Sequence, residues 1–142
     1  MHEPEASSEL VQPWVVKAEN DLRTAVHTLT LGQEAPPDTI CFHAQQCIEK
    51  YFKAVLVLRG ISFPKTHDLH TLMTLLPLDC RPTLDEVYQE RLTEYATVAR
   101  YPDEIADPSL AEARKAVATA RRVRKEVRCL LPRAALRRKR KP

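Results

Sequence analysis

The chain has 142 residues, the length of one domain, and can form a single core that buries roughly two thirds of the surface exposed by the unfolded chain. With two glycines, almost no alternating apolar and polar runs, and long segments filled by Ala, Leu, Glu, Lys and Arg, the composition excludes a sheet protein and predicts an all-α fold. The net charge of +3 conceals an uneven distribution: from Arg114 onward there are thirteen basic residues and one acid, Glu126, whereas residues 1–113 carry nine basic and eighteen acidic ones, a split that suits self-docking or attraction to a polyanion.

Helix one is predicted from about Gln12 to Leu31. Trp14, Ala18, Leu22, Ala25, Val26 and Leu29 fall on one side at three- and four-residue steps, and Pro13 suits a first turn. Asp21 interrupts that stripe. Gly32 and the pair Pro36-Pro37 end the helix, leaving Asp38 to cap a second one from about Thr39 to Arg59. Its apolar set, which includes Ile40, Cys41, Ala44, Cys47, Ile48, Tyr51, Phe52, Val55, Leu56 and Leu58, is broad enough for a central helix, and Gly60 stops it. A short third helix is expected from about His67 to Leu76, before Pro77 and Pro82. Thr83 and Glu86 have the spacing of a capping box for a fourth helix ending near Arg100. Asp107 and Pro108 form a cap and first-turn pair for a fifth, which places Leu110, Ala113, Val117, Ala120, Val127 and Leu131 on a narrow stripe and closes at Pro132. Together these segments predict an antiparallel up-and-down bundle of four main helices plus one short helix. Residues 12–131 would form the domain and residues 132–142 a mobile basic tail.

No apolar run is long enough to span a bilayer, and the acidic, polar start MHEPEASSE has no signal-peptide pattern, so a cytoplasmic location without membrane association is expected. Cys41, Cys47, Cys80 and Cys129 lack the close paired spacing of a zinc ribbon or a redox pair and read as small apolar residues. His43, Cys47, His67 and His70 have helix-compatible spacings without a surrounding ligand set, so neither metal nor cofactor is expected.

Three segments carry more through their order and spacing. Ala18-Glu19-Asn20-Asp21-Leu22 lies on helix one. The run from His43 to Leu69, HAQQCIEKYFKAVLVLRGISFPKTHDL, joins helix two to a polar connection containing Thr66-His67-Asp68-Leu69. Arg100-Tyr101-Pro102-Asp103 follows helix four. In these segments the chain resembles HEPN domains, named for nucleotide binding in higher eukaryotes and prokaryotes. The resemblance implies a helical bundle, commonly dimeric, in a family that includes ribonuclease toxins, partners of nucleotidyltransferases and non-catalytic modules, so the fold alone does not set an activity. It also implies where ribonuclease chemistry would lie, because the family signature is an arginine followed after four to six residues by a histidine at the start of the last long helix. Here Arg100 is followed by Tyr101, Pro102, Asp103, Glu104, Ile105, Ala106 and Asp107, with no histidine in the window. Histidine matters because a group titrating near neutrality can take the proton from a ribose 2′-hydroxyl or return one to the leaving oxygen. The pairs Arg23/His27 and Arg59/His67 miss the spacing.

The ligand-binding candidates at that place are Arg100, as a guanidinium fork for phosphate, Tyr101, as a stacking surface, and Asp103 beside them; the alternative is that Arg100 pairs with Asp103 while Tyr101 packs in the core. On helix two, His43, Gln46, Lys50 and Lys53 recur along one side. Asp21 needs a compensating partner, for which Gln46 or Lys50 is placed, and the three read either as a structural network or as a polar pocket for a nucleotide phosphate. Lys50 and His67 are ligand-binding candidates too, the alternative for His67 being that it caps or braces the loop before helix three. Arg137, Arg138, Lys139, Arg140 and Lys141 suit sequence-independent phosphate contact or a solubilising extension. The favoured reading is a homodimeric HEPN interaction module without strong catalysis, associated with nucleotide or RNA and with a nucleotidyltransferase-type protein partner. A metal-independent ribonuclease of the toxin–antitoxin type and a purely structural helical partner protein are the alternatives.

Overall fold

A computed structural model describes residues 7–97 and 107–137 of the chain. Helix α1 (Ser8–Leu29) starts earlier than its polar first residues suggest, because Val11 and Val15 extend the buried stripe toward the amino terminus. Pro13 therefore lies inside the helix and not in its first turn, and the Glu9 carbonyl lacks the donor that another residue at 13 would supply. Helix α2 (Pro37–Leu58) has Pro37 as its first helical residue, so Asp38 sits within the first turn, favourably placed against the helix dipole, and does not cap. Its end is a Schellman arrangement. Gly60 adopts φ 68°, its N–H donates to the Val57 carbonyl at 3.1 Å, and that of Ile61 donates to the Leu56 carbonyl at 2.9 Å.

The three later caps differ from the expected ones in a common way: the residue that caps is the one next to the first helical turn. Helix α3 (Leu69–Leu75) is capped by Asp68, whose Oδ1 accepts from the backbone N–H of His70 at 2.9 Å and of Thr71 at 3.3 Å, so His67 is not the cap. Helix α4 (Glu86–Thr97) is capped by Asp85, which accepts from the Tyr88 N–H at 2.8 Å, and Thr83 forms no capping box with Glu86 because Glu86 is itself the first helical residue. Helix α5 (Leu110–Arg128) carries a reciprocal capping box, with the Ser109 hydroxyl accepting from the Glu112 N–H at 3.0 Å and the Glu112 carboxylate accepting from the Ser109 N–H at 2.7 Å. Asp107 and Pro108 precede that cap.

Among the described residues every regular element is helical, and α1, α2, α4 and α5 form the bundle with short α3 packed against α2 and α4. Helix α2 is the axis of the molecule, in contact with α1, α3, α4 and α5. Ile40, Ile48, Tyr51, Phe52 and Leu56 on it are wholly buried, each worth about 1.5–3 kcal/mol of transfer free energy. Beyond Pro132 the chain makes one more turn, α6 (Arg133–Leu136), whose Ala135 is buried against the bundle, while the Gln12 side-chain amide donates to the Arg137 carbonyl. The segment read as basic tail thus begins with a packed turn. Arg100, Tyr101, Asp103, Arg138, Lys139, Arg140 and Lys141 lie outside the described residues.

Candidate functional site

The polar residues of α2 divide between two clusters, and helix geometry explains the division. Successive residues turn by about 100°, so Lys50 projects within about 20° of His43, whereas Gln46, Lys53 and Glu49 are rotated by about 60°, 80° and 120° in the same sense. His43 and Lys50 accordingly face α1, where His43 Nδ1 lies 2.8 Å from Asp21 Oδ1 and Lys50 Nζ lies 2.5 Å from Asp21 Oδ2. The Asp21 side chain is 12% exposed and uses both oxygens in these pairs.

Gln46 belongs to the second cluster, away from Asp21. Glu49, 3% exposed at its side chain, accepts from Lys53 Nζ at 3.0 Å through one oxygen and stands 2.7 Å from His67 Nδ1 through the other. Gln46 Nε2 donates to Gln45 Oε1 at 2.7 Å and to Glu49 Oε1 at 3.2 Å, and Gln45 Nε2 donates to the His67 carbonyl at 2.9 Å. This network ties the loop before α3 onto α2, so His67 braces that loop from both its ring and its backbone. Its ring is nevertheless 59% exposed, and Nε2 has no hydrogen-bond partner among the described residues. An imidazole oriented by a buried carboxylate through Nδ1, with Nε2 toward solvent, has the geometry of a general base. Lys53 also lies 5.7 Å from the Trp14 ring centre and 5.8 Å from that of Phe63, which spreads its charge over two aromatic faces.

Two further polar hubs were not singled out in the sequence. Glu19, on the segment shared with HEPN domains, accepts at Oε1 from Tyr51 Oη at 2.8 Å, Arg124 Nε at 2.8 Å and Arg128 Nη1 at 2.7 Å. Burial pushes the Tyr51 phenol well above its ordinary range, so it remains a donor. Arg91 bridges α4 to α5 through Glu112 at 2.8 Å and pairs with Glu94 at 2.8 Å. The Glu112 carboxyl is held below the usual glutamate range, first by the Ser109 backbone N–H and then by Arg91. Both hubs join residues far apart in sequence, and the signal available for Glu19 was its place four residues after Val15 and three before Leu22, at the edge of the apolar stripe of α1.

The thiols offer little chemistry. Burial pushes Cys41 up to about 12 and raises Cys47 and Cys80, while Cys129 alone of the four free cysteines is exposed. Among the described residues no group of three His, Cys, Asp or Glu side chains is placed to hold a metal, and no helix is long and apolar enough to cross a membrane.

With this bundle and these clusters defined, the kinship of the chain is clear. The HEPN domain family model matches residues 11–130, and the chain belongs to that family. The crystal structure of TT1696 from Thermus thermophilus is similar at TM-score 0.70 and 29% identity, over 85% of this chain and 98% of that one. That of ST0689, an archaeal HEPN homologue, is similar at TM-score 0.64 and 28% identity, over 84% of this chain and 96% of that one. A protein of Methanocaldococcus jannaschii named "Putative toxin MJ1304" is 44% identical over 50 residues, which is 35% of this chain. The matched stretch spans 31% of that relative's length.

Proposed function

We propose that this chain is an RNA-associated HEPN module of a toxin–antitoxin-like system, acting in the cytoplasm as a homodimer with a nucleotidyltransferase-type protein partner and without strong catalysis of its own. The observation that carries the reading is the stretch between Arg100 and the Ser109 cap of α5, which contains no histidine. Family membership supports the partner class, and the toxin name of the archaeal relative supports the setting. Without a neutral-pH proton carrier, Arg100 retains charge complementarity to a phosphate but has no adjacent base to activate a 2′-hydroxyl. The test is a titration of labelled single-stranded RNA with the purified chain at about 50 mM and about 200 mM salt, where binding by several phosphate contacts should weaken steeply. Absence of binding at the lower salt would overturn the RNA-associated reading.

A second reading is favoured by the Glu49–His67 pair. If His67 Nε2 serves as the base, the chain is a metal-independent ribonuclease whose proton carrier comes from the loop before α3 in place of the start of α5.

A further inference from the structure

Two cavities lie end to end on the side where α1 faces α5 and α6. One, of about 240 Å³, is walled by Val15, Val16 and Asn20 of α1 and by Ala135, Leu136 and Arg137 at the end of the described chain. The other, of about 460 Å³, is walled by Leu22, Val26, Arg121 and Lys125. Glu19, Arg23 and Arg124 line both, so the two make one continuous groove.

Among the described residues six cations line this groove: Arg23 from α1, Arg121, Arg124, Lys125 and Arg128 from α5, and Arg137 after α6. Glu19 is the one carboxylate among the described lining residues, and it takes one N–H each from Arg124 and Arg128. The side chains of Arg23, Arg121, Lys125 and Arg137 form no hydrogen bond or ion pair with any described residue. Two arginines suffice to satisfy Glu19 and tie α5 to α1. Four further cations held close together repel one another and destabilise the free protein, a cost that a bound polyanion removes.

The dimensions and lining narrow the ligand. From Arg121 to Arg128 the helix rises by about 10 Å, so the cations extend beyond the reach of one phosphate group. Five of the six are arginines, whose forked donors match phosphate oxygens. The walls between them are aliphatic side chains and Asn20, with no aromatic face among the described lining residues for a base to stack on, so contact would be with the backbone and indifferent to sequence. The Arg137 backbone is tied to the bundle, because Ala135 is buried and Gln12 donates to the Arg137 carbonyl, and its side chain lines the rim. We infer that the α1/α5/α6 groove binds the phosphate backbone of single-stranded RNA. This rests on the RNA-associated reading above and assigns that association to the body of the domain, in place of the terminal basic residues alone.

The experiment measures binding of a fluorescent mixed-sequence RNA by the full chain and two triple variants. In one, Arg23→Ala, Arg121→Ala and Lys125→Ala remove groove cations that are exposed and pair with no described residue, so its melting temperature should match wild type. In the other, Lys17→Ala, Lys65→Ala and Arg114→Ala remove equal charge from positions lining neither cavity. The groove variant should lose at least about tenfold in affinity, and its log–log salt slope should shrink by about 2, since each lost contact to a single strand contributes about 0.7. The control variant should keep most of the affinity and slope. Equal losses in both variants would overturn the groove assignment, as would a polyglutamate peptide that competes as well as RNA of the same charge, which would make the groove a site for an acidic protein. A wild-type chain that does not bind RNA would instead overturn the RNA-associated reading itself.

Discussion

Asp21 and Glu49 are both buried carboxylates, Asp21 within an apolar stripe and Glu49 beside Gln45, Gln46 and Lys53, and they differ in what their loss leaves behind. Removing Glu49 strands Lys53, whose side chain is 9% exposed, whereas removing Asp21 frees Lys50 and His43, which are 20% and 27% exposed and can turn toward water. Glu49→Ala should therefore cost about 3–5 kcal/mol, the range for breaking a buried pair, and Asp21→Ala about 1–3 kcal/mol. Thermal melts of the two variants should rank them in that order; equal melts would show that Lys53 escapes burial. The interruption of an apolar stripe by Asp21 was visible in the sequence, and a charged partner on the next helix follows from the cost of burying it. Glu49 was harder to see because α2 is buried nearly all round, so its polar residues Gln45, Gln46, Glu49 and Lys53 lie in the interior and mark no solvent-facing side. Its partner His67 is eighteen residues away, beyond any helical spacing.

At the level of elements, the apolar three- and four-residue steps located each long helix and the glycine at 60 its second stop, because burial and backbone freedom act locally. Caps were less evident. Several Ser, Thr and Asp residues precede each helix, and which of them caps is decided by where packing halts the helix, as with Ser109 against Asp107 and Asp85 against Thr83. The turn after Pro132 escaped notice because four residues cannot establish a period, and Ala135 packs only where α1 offers a seat. The Ser109–Glu112 box makes a pH prediction. The folded-state value of Glu112 is depressed, so its contribution to stability is present above the ordinary glutamate range and is lost as pH falls through the lowered value. Urea midpoints followed from pH 6 down to about pH 3 should fall less for Glu112→Gln than for wild type. An identical decline in both proteins would show that the capping carboxylate does not contribute to acid sensitivity.

For the whole molecule, the charge asymmetry takes physical form in the groove between α1 and α5, where cations from both ends of the sequence meet around Glu19. Homodimer formation is the companion prediction: light scattering at micromolar concentration should return about twice the 16.2 kDa chain mass, and a stable monomer would overturn the homodimeric reading.

The central claim is association with RNA without chemistry, and it is tested most directly by following the integrity of bound RNA. End-labelled structured and single-stranded RNAs are incubated with wild type, Arg100→Ala and His67→Ala in the presence of a chelator, and the protein-bound RNA is recovered and resolved under denaturing conditions. The account predicts that wild type binds and returns the RNA intact, any cleavage being slower by something like the 10²–10⁴-fold that general acid–base catalysis supplies. Discrete fragments from wild type that disappear with Arg100→Ala would contradict it, and their further loss with His67→Ala would identify the Glu49-braced imidazole as the base of a ribonuclease.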